Sequence, residues 1–99
     1  MDLSNKKILI LGTGANGSCA AADITQDGYD VMLIDQWPDH VNSMNKNGLT
    51  INFPEETKQV NVDAYHLCKL AEMNAKFDYV FLFVKAYDTA WMTQLLRPY

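Results

Sequence analysis

The 99 residues are 48% hydrophobic and 20% charged, which fits one small globular domain and excludes a disordered chain. The net charge of -4 comes without a basic stripe, so a nucleic-acid footprint is excluded, and any anionic ligand must be held by local backbone N–H groups. No run approaches the roughly 20 apolar residues of a membrane span, and the first apolar run is too short for a secretory leader. A cytoplasmic location is expected.

In chain order, a polar start leads through Lys6 and Lys7 into residues 8–11, apolar on both faces like a central parallel strand covered by helices. Gly12-Thr13-Gly14-Ala15-Asn16-Gly17 follows at once. A helix is expected over residues 15–26, almost all small across residues 18–22, with Gly28 as its C-terminal cap. Residues 30–35 form a second strand ending on Asp35. Pro38 opens a second helix with Val41 and Met44 on its apolar face, and Gly48 closes it. Residues 49–53 alternate and read as a third strand. Residues 57–62 could pair back on it antiparallel. Residues 63–76 match strand and helix templates equally poorly and leave a short strand followed by a helix as one option. Residues 79–84 are a continuous apolar run, a second central strand, and a last helix is expected over residues 89–96.

Strand, glycine turn, helix, strand and acid is the order of a dinucleotide-binding βαβ unit. Gly12 permits the sharp turn, Gly14 lets backbone approach a pyrophosphate, and Gly17 lets the helix pack closely. The first helical turn presents unpaired N–H groups and the positive end of the helix dipole to the phosphates. Asp35 stands 18 residues after Gly17, near the usual spacing of about 20, and is placed to accept from a ribose hydroxyl. The cofactor-binding candidates are therefore Gly12, Thr13, Gly14, Ala15, Asn16, Gly17 and Asp35. The fold class is α/β, a Rossmann-like doubly wound, mostly parallel sheet, incomplete on its C-terminal side. An exposed sheet edge or apolar helix face is expected there.

Other residues carry weaker signals. Cys19 and Cys68 form no Cys-x-x-Cys pair and no zinc-ligand spacing, and both read as buried free thiols. His40 reads as a surface residue, and His66 has no paired acid or nucleophile in view. Trp37, Trp91 and Tyr87 read first as packing residues, with Trp37 also a candidate border of an adenine pocket. Lys85 ends the fourth strand, where open α/β sheets bind their ligands.

Four segments carry a family resemblance. They are the glycine turn, Asp35-Gln36-Trp37-Pro38-Asp39-His40-Val41, Asn47-Gly48-Leu49, and Val84-Lys85-Ala86-Tyr87-Asp88-Thr89. Together they closely resemble the ketopantoate reductases, the 2-dehydropantoate 2-reductases, over residues 7–99. The resemblance implies an oxidoreductase that reduces 2-dehydropantoate to pantoate by hydride transfer, on the route to pantothenate and coenzyme A. It implies Lys85 as a cofactor and active-site contact, NADPH as the usual cofactor, and a helical substrate domain that lies outside residues 1–99. The chain would then be the N-terminal dinucleotide-binding domain or a fragment of it, inactive alone. Asp35 departs from the NADPH pattern, because an acid repels a 2′-phosphate and favours NADH. The expected partners are the dinucleotide and, in a complete enzyme, a 2-oxo acid; a homodimer is left open. A stand-alone, non-catalytic nucleotide-binding or sensing module is the alternative.

Overall fold

In the computed structural model, residues 5–12, 14–52, 54–73 and 76–99 are described. Ten elements run in order: β1 (Lys7–Leu11), α1 (Ala15–Gln26), β2 (Asp30–Asp35), α2 (Pro38–Asn47), β3 (Leu49–Asn52), β4 (Thr57–Val60), β5 (Ala64–His66), α3 (Leu70–Met73), β6 (Tyr79–Leu82) and α4 (Ala86–Leu96). A single 3-10 turn, Leu67–Lys69, leads into α3.

Four strands form one parallel sheet in the order β5-β2-β1-β6. β1 is central, and its alternation divides the core between two faces. Ile8 and Ile10 pack with Ala21 and Ala22 of α1 and with Val41 and Met44 of α2. Leu9 and Leu11 pack on the other face with Leu70 of α3 and Met92 of α4. These four of the five β1 residues are fully buried, and only Lys7 at its start is exposed. Helices therefore cover both faces of a parallel sheet, which is the doubly wound α/β architecture the sequence led us to expect.

α1 and β2 occupy the expected residues, and α2 starts at Pro38. Gly28, at φ 89°, follows α1; its N–H donates to Thr25 O at 3.0 Å, and the Tyr29 N–H donates to Ile24 O at 3.4 Å, a Schellman ending. Residues 49–52 and 57–60 do form an antiparallel pair, but this hairpin is a separate two-stranded sheet. Its Leu49 and Val60 pack onto the α1/α2 side of the core. The third strand of the main sheet is instead β5, paired with β2 from Leu33↔Ala64 to Asp35↔His66. The fourth strand ends at Leu82 rather than residue 84, and α4 begins at Ala86 rather than near residue 89.

The two thiols are free but exposed, contrary to expectation. The buried stripe of α1 holds Gly17, Ala21 and Ala22, while Cys19 shares the outward face with Asp23 and Gln26. Tyr87 and Trp91, four residues apart on α4, also point outward, because Met92 supplies the buried anchor of that helix. Val80 of β6 is exposed, and β6 has no further strand beside it, so the sheet has the expected open edge on this side among the described residues.

The opposite edge is closed differently. The Asn45 side chain of α2 donates from Nδ2 to Ala64 O at 2.7 Å and accepts from Ala64 N–H at Oδ1, 3.1 Å. This pair of bonds stands in for a neighbouring strand. Asn45→Ala should leave both groups of the buried Ala64 backbone without their partner and cost about 1–2 kcal/mol, read as a lower urea midpoint with an unchanged slope.

Candidate dinucleotide site

The topology sets the location. The chain moves outward from β1 through β2 to β5, then returns to β6 on the far side of β1. That reversal opens a crevice beyond the carboxyl ends of β1 and β6, where open α/β sheets hold ligands. A cavity of about 1000 Å³ lies there, lined by Leu11, Gly12, Gly14, Gly17, Ser18, Asp35, Gln36, Trp37, His40 and, from β6 and α4, residues 82–85, Tyr87, Asp88 and Met92.

The glycine loop forms its floor. Gly12 takes φ 95°, its N–H donates to Ile34 O of β2 at 2.9 Å, and its neighbour Leu11 O accepts from Phe83 N–H at 2.8 Å. A Cβ on Gly12 would overlap the Phe83 carbonyl and sit 2.8 Å from Val84 Cγ1. A Cβ on Gly17 would overlap the Gly12 carbonyl oxygen and lie 3.1 Å from Phe83 Cβ. Gly14 differs: a Cβ there meets no atom of the described residues beyond its chain neighbours within 4 Å. Two glycines therefore answer to the protein's own packing, and the third faces open cavity.

Gly14 is also the N-cap of α1, with no side-chain cap, and no acid stands in the first turn. The first turns of α2 and α4 carry Asp39 and Asp88. α1 thus presents uncapped N–H groups and an uncompensated positive dipole end to the cavity. Thr13 lies outside the described residues, as do the side chains of Ala15 and Asn16, which begin α1.

Asp35 ends β2 on the cavity wall and is buried, at 5% exposed for the whole residue. Its Oδ1 accepts from Trp37 N–H at 2.9 Å, an Asx turn that leads the chain into α2. Lys85 is the N-cap of α4, exposed, with its carbonyl accepting from Asp88 N–H at 2.9 Å. It stands on the β6 side of the cavity, with Asp35 on the β2 side. Trp37 and Tyr87 line the same cavity as exposed rings rather than packed ones. The sequence reading missed one contact. His66 Nδ1 lies 3.0 Å from Cys68 Sγ and accepts from Cys68 N–H at 3.2 Å, while Nε2 donates to Gln36 O at 3.0 Å. The His-x-Cys spacing was its only signal, and the link to Gln36 exists only because β5 lies beside β2. Among the described residues, no group of three or more His, Cys, Asp or Glu is placed to hold a metal ion. No described helix is long and apolar enough to cross a membrane.

A doubly wound sheet with a glycine turn, an uncapped helix and a strand-end acid at its switch point defines a Rossmann-like nucleotide-binding domain. Residues 8–99 match the family described as Ketopantoate reductase PanE/ApbA, and the chain belongs to that family. It is 32% identical over 92 residues to the 2-dehydropantoate 2-reductase of Lactococcus lactis, covering 93% of this chain and 29% of that enzyme. The 2-dehydropantoate 2-reductase of Streptococcus pyogenes serotype M1 is 33% identical over 91 residues, covering 91% of this chain and 28% of that enzyme. Among solved structures, one assigned as a 2-dehydropantoate 2-reductase from Enterococcus faecalis superposes with a TM-score of 0.81 at 35% identity, over 93% of this chain and 29% of that one. A D-mandelate dehydrogenase with NADH and anilino(oxo)acetate gives 0.82 at 30% identity, over 93% of this chain and 29% of that one. The chain thus spans less than a third of the length of these relatives.

The three loop glycines should separate under substitution. Gly12→Ala and Gly17→Ala force overlap with backbone and should each cost about 2 kcal/mol or more. Gly14→Ala should stay within about 0.5 kcal/mol of the parent. Urea unfolding of the three variants checks both statements.

Proposed function

We propose that this chain is the dinucleotide-binding part of an NAD(P)-dependent 2-oxo acid reductase whose complete form reduces 2-dehydropantoate to pantoate. The observation that carries this reading is the uncapped, acid-free amino end of α1 opening on a cavity that Asp35 bounds at the end of β2. The names of the relatives support the same reaction class. The non-catalytic binding module is not favoured, since those relatives are named as enzymes and Lys85 stands on the cavity wall.

The residues present fit the cofactor. Backbone N–H groups from Gly14 to Gly17 hold the pyrophosphate, and the open space at Gly14 lets it come close. Ala15 and Asn16 contribute backbone N–H groups from the first turn of α1, and Thr13 is proposed as a further contact from sequence alone. The carboxylate of Asp35 has several acceptor sites, so it can hold Trp37 N–H and a ribose 2′-hydroxyl together. The same negative charge repels a 2′-phosphate, and Gln36 and Trp37 supply no cation to offset it. NADH is therefore the preferred form. Lys85, across the switch point, attracts the carboxylate or carbonyl oxygen of a 2-oxo acid toward the nicotinamide end and is the catalytic contact this chain provides. The bound dinucleotide supplies the hydride that the reduction needs.

A helical domain outside these residues would carry the proton donor and most of the substrate site, as the family resemblance implies. Phe77 N–H donates to Tyr99 O at 2.8 Å, so the chain leaves α4 beside the start of β6, where a further parallel strand would begin. We place the protein in the cytoplasm, where two exposed free thiols stay reduced. A homodimer of the complete protein is compatible with this scheme.

Titration of the chain with NADH and NADPH tests the reading. NADH should bind at least about ten-fold more tightly, a difference of ~1.4 kcal/mol, and Asp35→Ala should narrow the gap. Gly14→Val should abolish binding of both while the far-ultraviolet dichroism stays unchanged. Equal loss of structure and binding in Gly14→Val would sink the assignment of that residue.

A further inference from the structure

We propose that the indole of Trp37 is the platform on which the adenine ring of the dinucleotide stacks. This rests on the cofactor reading above and adds to it the group that recognises the base.

Trp37 is 64% exposed, an unusual state for the largest apolar side chain. Its exposure differs in kind from that of Trp91, whose indole N–H donates to Asp88 Oδ1 at 2.8 Å within its own helix. Trp37 lies on the cavity wall, two residues beyond Asp35. Its backbone is fixed on both sides. The N–H donates to Asp35 Oδ1 at 2.9 Å, and the carbonyl accepts from Val41 N–H at 3.1 Å as the N-cap of α2. Pro38 follows directly and holds Trp37 in the extended region, at φ -104° and ψ 105°. The ring is thus displayed from a pinned Cα, with little backbone freedom to lose on meeting a ligand.

The neighbouring chemistry says what the ring meets. Asp35 fixes the ribose in the cofactor reading, and the base is joined directly to that ribose. A flat purine leaving a ribose at Asp35 comes to the segment that follows Asp35, where Trp37 offers a flat apolar face. Stacking covers an exposed indole and an exposed base at once, and every purine offers such a face. The same position explains the lack of a cation for a 2′-phosphate: the residue that stands there serves the base. The carboxylate that accepts the ribose hydroxyl also holds the backbone of the stacking residue, so one side chain organises both parts of the adenosine site.

ADP-ribose, which has the adenosine and lacks the nicotinamide, isolates this half of the site. In the 99-residue chain, Trp37→Ala should weaken both ADP-ribose and NADH by about ten-fold, and Trp37→Phe should restore most of the affinity. In Trp91→Phe, Trp37 is the sole tryptophan, and ADP-ribose should quench its emission with the midpoint seen by calorimetry. Undiminished ADP-ribose binding by Trp37→Ala would overturn the stacking and leave the cofactor reading standing. Weakened binding that Phe does not rescue, with Trp37 emission unmoved by ADP-ribose, would mean a disturbed loop and would overturn it equally. Failure of the parent chain to bind NADH would overturn the cofactor reading and the stacking together.

Discussion

Gly17 passes so close to the carbonyl oxygen of Gly12 that no side chain fits between them, and Gly12 is in turn pressed against the Phe83 carbonyl beyond β6. This double approach joins three elements at one point: the turn out of β1, the first turn of α1, and the end of β6. The direction in which α1 leaves the sheet follows from it. So does the aim of the helix's uncapped N–H groups across the switch point. Any wider spacing would swing the amino end of α1 away from the crevice.

Around that point, burial is shared economically. β1 gives two residues to each face, and each face closes with its own helices. The positions just past Leu11, Ile34 and Leu82 at the carboxyl ends of the strands are then free to carry polar function. Asp35 is the exception that links the two, a buried carboxylate whose Oδ1 accepts from a backbone N–H and so ties the sheet to the start of α2.

Much of this was legible in the residues because it is local. A glycine turn between an apolar run and a small-residue helix, a glycine after that helix, and a proline opening the next one each act within a few positions. The short strand followed by a helix that residues 63–76 left open is what forms, as β5 and α3, but the place of that strand in the main sheet was not legible. Ala64–His66 is three residues long, too short for a period to appear, and it is a strand because β2 and Asn45 pair with it from a distance. The alternating segment at residues 49–52 took its place in the reading because a half-buried hairpin writes the stronger pattern. The orientation of Cys19 was available in principle: spacings of four and seven put it with Asp23 and Gln26, a polar face. The exposed rings of Trp37 and Tyr87 were not, because aromatic residues beside strand ends pack more often than they project. The family resemblance, by contrast, rested on four short segments, the glycine turn, residues 35–41, residues 47–49 and the Lys85 segment, and all four lie within the residues that match the family.

The amide of Asn45 has a consequence for how the sheet meets other molecules. A sheet polymerises along its hydrogen-bonding direction only when both of its margins are available. Here, among the described residues, the N–H and C=O of Ala64 on the β5 margin are occupied by a side chain from the same chain, while the β6 margin offers its backbone groups. A strand arriving at the β5 side must first displace that amide, so addition to the sheet is directed to the β6 side.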